Sequence, residues 1–163
     1  MNRVEVNAEE VPLPRWSGAS SRFVRRVLET LDRDGWELSV LYCGDRFIRD
    51  LNARYRNRDE PTDILSFPQE DTSAHAPQGD HCPRNRGQGR TRFFAGDIVI
   101  SLDTLTKNAA YFGITLDEEL RRLLVHGILH LSGMDHASNE ESEPMLQLQE
   151  KILATLGEER IIP

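Results

Sequence analysis

The stretch HGILHLSGMDH, residues 126–136, holds three of the chain's five histidines and sets both a helix end and a candidate site. On a helix, residues i and i+4 share one face, so His126 and His130 project together. Gly133 tolerates positive φ. It allows a sharp turn that carries His136 back toward the same point. Three neutral imidazoles with an open fourth position form a catalytic zinc arrangement. A closed structural site would want a fourth protein ligand, and none is evident nearby. Asp135 is the runner-up ligand, and its favoured role is to accept an imidazole N–H.

The spacing H-x-x-x-H-x-x-G-x-x-H is also that of a metzincin protease helix. Such helices carry a glutamate after the first histidine, where this chain has Gly127. Peptide hydrolysis with that glutamate as base is therefore disfavoured. A metal ion can still lower the pKa of bound water to about 7. A phosphodiester suits this chemistry, because an arginine can hold its oxygens bidentately while a metal polarises them.

Working outward, Thr115 and Glu118 make a capping box that opens LDEELRRLLVHGILHL. Leu116, Leu120, Leu123, Leu124, Ile128 and Leu131 form its apolar stripe, and Gly133 lies where it should end. A second box, Ser138 with Glu141, is expected to open a last helix bearing Met145, Leu148, Ile152 and Leu156. Upstream, RVEVNAE (3–9), WELSVLYC (36–43), TDILSFP (62–68) and FFAGDIVISL (93–102) read as strands. SSRFVRRVLETLDRDG (20–35), with Ser20 as N-cap, reads as a helix. So do RFIRDLNARYR, with Asp45 as N-cap, and a segment from Asp103 to near Gly113. The order β-α-β-α-β-β-α-α-α predicts an α+β fold, a small mixed sheet packed with helices around a zincin-like three-histidine metal site.

The chain's 163 residues suit one domain, 1–163. Residues 69–92, rich in Pro, Gly and Arg, read as a loop insertion within it. His75, His81 and Cys82 there match no familiar zinc spacing. No run approaches the roughly 20 apolar residues of a membrane span. The N-terminus lacks the basic start and apolar run of a signal peptide. A cytoplasmic location is expected, with Cys43 and Cys82 as free thiols. The net charge of -7 argues mildly against nucleic-acid binding. It does not exclude it, because phosphate recognition depends on a local basic surface and not on the total. The arginines cluster at Arg22, Arg25 and Arg26, at Arg54, Arg56 and Arg58 and at Arg84 to Arg92, clusters whose ordinary reading is solvated faces.

The second motif is LNARYRNRDEPTDILSFP, 51–68: a helix, a basic turn and a strand. Basic residues at a helix C-terminus also complement its dipole. Taken together, the two motifs resemble the YbeY-type endoribonuclease family, the bacterial rRNA maturation factors. Its pattern H-G-x-L-H-L-x-G-x-D-H is met by His126, Gly127, Leu129, His130, Leu131, Gly133, Asp135 and His136. Its L-N-x-x-Y-R and P-T-D-x-L-S-F-P are met by Leu51, Asn52, Tyr55, Arg56 and Pro61 through Pro68, and G-D-I-x-I by Gly96 to Ile100. The resemblance runs from about Trp36 to the last helix, with segment 71–92 as the main departure.

The resemblance implies one zinc ion on His126, His130 and His136 and a functional arginine at Arg56. It implies a single-strand-specific endoribonuclease acting on ribosomal RNA in 16S rRNA 3′-end maturation and late-stage ribosome quality control, in contact with ribosome-associated proteins. Two rivals remain at this level: a non-catalytic zinc-containing assembly factor, and a zinc hydrolase of another substrate such as peptides.

Overall fold

Alternation in WELSVLYC puts Trp36, Leu38, Val40 and Tyr42 on one side. All four are buried in the computed structural model, which describes residues 1–69 and 92–163. They belong to β2 (Trp36–Cys43), one of two interior strands of a four-stranded sheet. β1 (Arg3–Ala8) and β4 (Phe93–Ser101) flank β2 in parallel, and β3 (Ile64–Pro68) closes the far edge antiparallel to β4. Among the described residues five helices complete the fold: α1 (Ser17–Thr30), α2 (Asp45–Arg56), α3 (Leu102–Phe112), α4 (Leu116–Leu131) and α5 (Pro144–Thr155). The mixed sheet and the element order are those expected.

Both faces of the sheet are apolar. On one, Trp36, Leu38, Val40, Ile98 and Ile100 meet Val24 and Leu28 of α1 and Leu120, Leu124 and Ile128 of α4. Met145 and Ile152 of α5 close the same core. On the other face, Cys43, Leu65 and Val99 pack against Ile48 of α2. Burial of this second face accounts for the unbroken apolar runs Val40 to Cys43 in β2 and Ile98 to Ile100 in β4. Cys43 is a free thiol whose Sγ lies 3.5 Å from the Ile100 carbonyl oxygen. Burial, with the charges of Asp103 and Asp45, pushes it up to about 12.

Gly96 sets where β3 can sit. Ala95 is skipped in the β2–β4 register, a bulge, and Gly96 follows it at φ 133°. A Cβ there would fall 2.1 Å from the Phe67 carbonyl oxygen. Only glycine permits the Pro68–Gly96 pairing that holds Ser66 and Phe67 beside the site.

Three expected caps are corrected. Ser20 lies inside α1, which starts at Ser17, and its hydroxyl pairs with the buried Tyr42 hydroxyl at 2.6 Å. The N-cap of α2 is Gly44. Asp45 instead accepts bonds from Ser101 (2.7 Å), Thr104 (2.6 Å) and Lys107 (2.7 Å), tying α2 to α3. Burial opposes its charge, but these bonds outweigh that and hold its pKa below the ordinary carboxylate range. Ser138 does not pair with Glu141. Its N–H and hydroxyl donate to Glu143, the N-cap of α5, because Pro144 at the first position delays the helix start. The Thr115–Glu118 box forms with both of its bonds.

No helix among the described residues is long and apolar enough to cross a membrane. Most of the 69–92 insertion, including His75, His81, Cys82 and the arginines from Arg84 to Arg90, lies outside the described residues.

Candidate metal centre

α4 runs under β3 and β4 with its last two turns carrying His126 and His130. Gly127 makes the close approach possible: a Cβ there would meet the Ile64 and Ile98 side chains at 3.0 Å. The position after the first histidine therefore faces the packed sheet, away from the imidazoles. Gly127→Glu should insert a carboxylate between these isoleucines. The expected result is a stability loss of at least about 3 kcal/mol, the scale for an uncompensated buried charge, and no gain of peptidase activity. Urea denaturation and a casein-peptide assay check both parts.

Gly133 adopts φ 89°, and the chain turns back as expected. The ligand-capable nitrogens of His126, His130 and His136 all lie within 4.8 Å of one another, the one such group of His, Cys, Asp and Glu among the described residues. Each Nδ1 is committed outward. His126 donates to Gln149 Oε1 at 2.8 Å, His130 to the Met134 carbonyl at 3.1 Å and His136 to the Ser138 carbonyl at 2.9 Å. Donation from Nδ1 leaves the Nε2 lone pair free. The Nε2 atoms of His126 and His130 are only 3.0 Å apart. With no proton between them, that approach sets lone pair against lone pair. A cation between them relieves it, and tetrahedral zinc with Zn–N of about 2.0–2.1 Å implies an N···N edge of about 3.3 Å. The donor set fits such an ion.

Burial lowers the pKa of His126, as do the two neighbouring imidazoles. His130 is lowered by burial first, with His136 and Arg56 adding to it. Both rings are thus biased toward the neutral form that a metal needs.

Asp135, the expected imidazole acceptor, is 87% exposed with its carboxylate 4.0 Å from His130 Nδ1. It caps the His136 N–H at 2.8 Å instead. The acceptor on a side chain is Gln149, only 5% exposed on α5. Its signal was available: a polar residue on the buried stripe Met145–Gln149–Ile152.

Arg56 is the last residue of α2. Asn52, buried, donates to the Glu60 carbonyl at 2.9 Å, while its own carbonyl accepts from Asn57 and Arg58. Asn57 takes φ 55° to end the helix. Arg49 grips Asp59 through two bonds, 2.8 and 3.2 Å, and holds the same turn. Arg56 then lies against β3, donating to the Ser66 carbonyl at 2.9 Å with its guanidinium 5.6 Å from the Phe67 ring centre. Tyr55, more than half exposed, meets the other side of this corner, edge-on to Phe67 at 5.4 Å. Arg56, Ser66, His126, His130 and Met134 line one cleft of about 550 Å³. The structure brings Arg56 and the histidines together. Arg54 and Arg58 are exposed, and Arg58 faces Glu60 at 3.8 Å.

A family profile described as Endoribonuclease YbeY matches residues 3–157. Proteins of that name are similar to this chain. The one from Treponema denticola is 49% identical over 131 residues, covering 80% of this chain and 77% of its own. The one from Treponema pallidum is 44% identical over 155 residues, 94% and 89%. The one from Borreliella burgdorferi is 40% identical over 134 residues, 80% and 81%. A solution structure of a Thermotoga maritima protein shares the fold, with TM-score 0.60 over 95% of this chain and 90% of that one, at 24% identity.

Proposed function

The chain belongs to the YbeY endoribonuclease family, and on that premise we propose that it cuts unpaired RNA at one zinc ion held by His126, His130 and His136, with Arg56 on the scissile phosphate. The observation that carries this reading is the shared cleft, where Nε2 lone pairs and a guanidinium face one space.

Zinc, when bound, acts as a Lewis acid toward a phosphoryl oxygen and makes water more acidic. The chain's own residues do the rest. Burial biases His126 and His130 toward the neutral form, and the bonds to Gln149, Met134 and Ser138 hold all three rings in the ligating tautomer. Arg56, braced by Ser66 and Phe67, presents its remaining N–H groups to phosphate oxygens and offsets charge as the phosphorus centre becomes crowded. Gly127 supplies no base.

In the cell this reading places the chain in the cytoplasm, in 16S rRNA 3′-end maturation and late-stage ribosome quality control alongside ribosome-associated proteins. To test it, single-stranded RNA, duplex RNA and a casein-derived peptide are each incubated with protein before chelation, after chelation and after zinc is restored. Cleavage of the single strand alone, lost on chelation and recovered with zinc, is expected. Peptide cleavage without RNA cleavage would replace the reading with a peptidase. No cleavage of any substrate would leave a binding factor.

A further inference from the structure

A second, larger cleft of about 1080 Å³ opens on the other side of the histidines. It shares His126 with the Arg56 cleft and adds His136. Its rim is unlike the Arg56 side. Phe112, at the end of α3, is 56% exposed, and Tyr111 beside it is 85% exposed. The two rings meet edge-on at 5.1 Å. The Arg122 guanidinium sits 5.4 Å from the Phe112 ring centre. Buried Glu119 fixes that guanidinium with a 2.7 Å bond, so the arginine is a rigid plane rather than a free cation.

The remaining charge in the cleft is negative. Asp63, Glu119, Glu141 and Glu150 line it against the single, already paired Arg122. Such a lining repels a phosphodiester. It suits the uncharged part of a nucleotide, because aromatic faces stack on any base and the amides of Asn139 and Gln147 offer donors and acceptors to a base edge. The two clefts thus divide the parts of a nucleic acid between them, with a cationic phosphate side at Arg56 and an aromatic, acid-lined side at Phe112.

We propose that the Phe112 cleft is a base-binding subsite, taking one unpaired nucleobase next to the scissile phosphate, stacked on Phe112 beside Arg122. This rests on the endoribonuclease reading above and adds where the strand's neighbouring base is held.

The test uses unpaired oligoribonucleotides carrying one 2-aminopurine, moved position by position, and titrated with wild type, Phe112→Ala and Phe112→Tyr. Quenching at one position beside the cleavage site is expected with wild type. Phe112→Ala should lose that quench and bind about 30-fold more weakly, the middle of the range for removing one base-stacking aromatic. Phe112→Tyr should keep both. An abasic nucleotide at that position should weaken wild type by a similar factor and leave Phe112→Ala unchanged. If Phe112→Ala quenches and binds like wild type while both cut RNA, the subsite is wrong and the nuclease reading stands. If wild type neither binds nor cuts RNA, that reading fails and this inference with it.

Discussion

Replacing His130 with alanine should leave the purified protein with little zinc after dialysis, where wild type should retain about one ion per chain. Three imidazoles hold a catalytic ion, and removing one leaves two nitrogens that must compete with buffer and water. Metal analysis by atomic emission measures this directly, and near-stoichiometric zinc in His130→Ala would sink the three-ligand proposal. Melting temperature gives an independent readout. An ion that binds only the folded chain stabilises it by mass action, so added zinc should raise the melting temperature of wild type and leave that of His130→Ala unmoved. Gln149→Leu belongs in the same series. It removes the acceptor that fixes His126, and the expected loss is about 10–100-fold in zinc affinity, the usual range for such supporting contacts. A larger effect from Gln149→Leu than from His130→Ala would reverse the assigned order of importance.

Arg56→Ala should lower kcat/KM on single-stranded RNA by roughly 10²- to 10³-fold, the scale for removing one preorganised donor from a developing oxyanion. Zinc content should stay at the wild-type level, because Arg56 touches Ser66 and Phe67 and no histidine nitrogen. The side chain is exposed, and the bond it gives up to the Ser66 carbonyl is worth only about 1 kcal/mol, so the variant should fold. Arg56→Lys separates charge from shape: a lysine keeps the positive charge but loses the planar fork, and partial recovery is expected. Wild-type cleavage rates in Arg56→Ala would end its proposed role, and full recovery in Arg56→Lys would reduce that role to a point charge.

Local chemistry carried sequence reading a long way. Apolar periodicity, caps and turn residues placed the strands and helices of the described residues in order, because such patterns reflect a face that must be buried or a backbone end that must be satisfied. The Thr115–Glu118 box was legible for the same reason: both bonds join residues three apart. The failures are equally physical. Ser20, Asp45 and Ser138 have the side chains of N-caps, but each found a better partner elsewhere. Ser20 bonds Tyr42 across the core, Asp45 bonds α3, and Ser138 bonds the start of α5. A hydroxyl or carboxylate advertises a capacity to bond, and which group satisfies it depends on what packing brings near.

The candidate site divides along the same line. Sequence alone determined that His126 and His130 share a face, since one helical turn separates them, and that Gly133 turns the chain so His136 can return. It also supplied Arg56 as a candidate, through a resemblance rather than through spacing. Tertiary structure decided the rest. The antiparallel pairing of β3 with β4, permitted by a glycine at Gly96, sets the strand against which Arg56 rests. Close packing of α4 on Ile64 and Ile98 leaves little room for a side chain at Gly127, where a Cβ would meet both isoleucines at 3.0 Å. The docking of α5 delivers Gln149 to His126, and the end of α3 delivers Phe112 to the far cleft. These meetings join residues far apart along the chain, so they depend on strand register and helix packing, which no local spacing encodes.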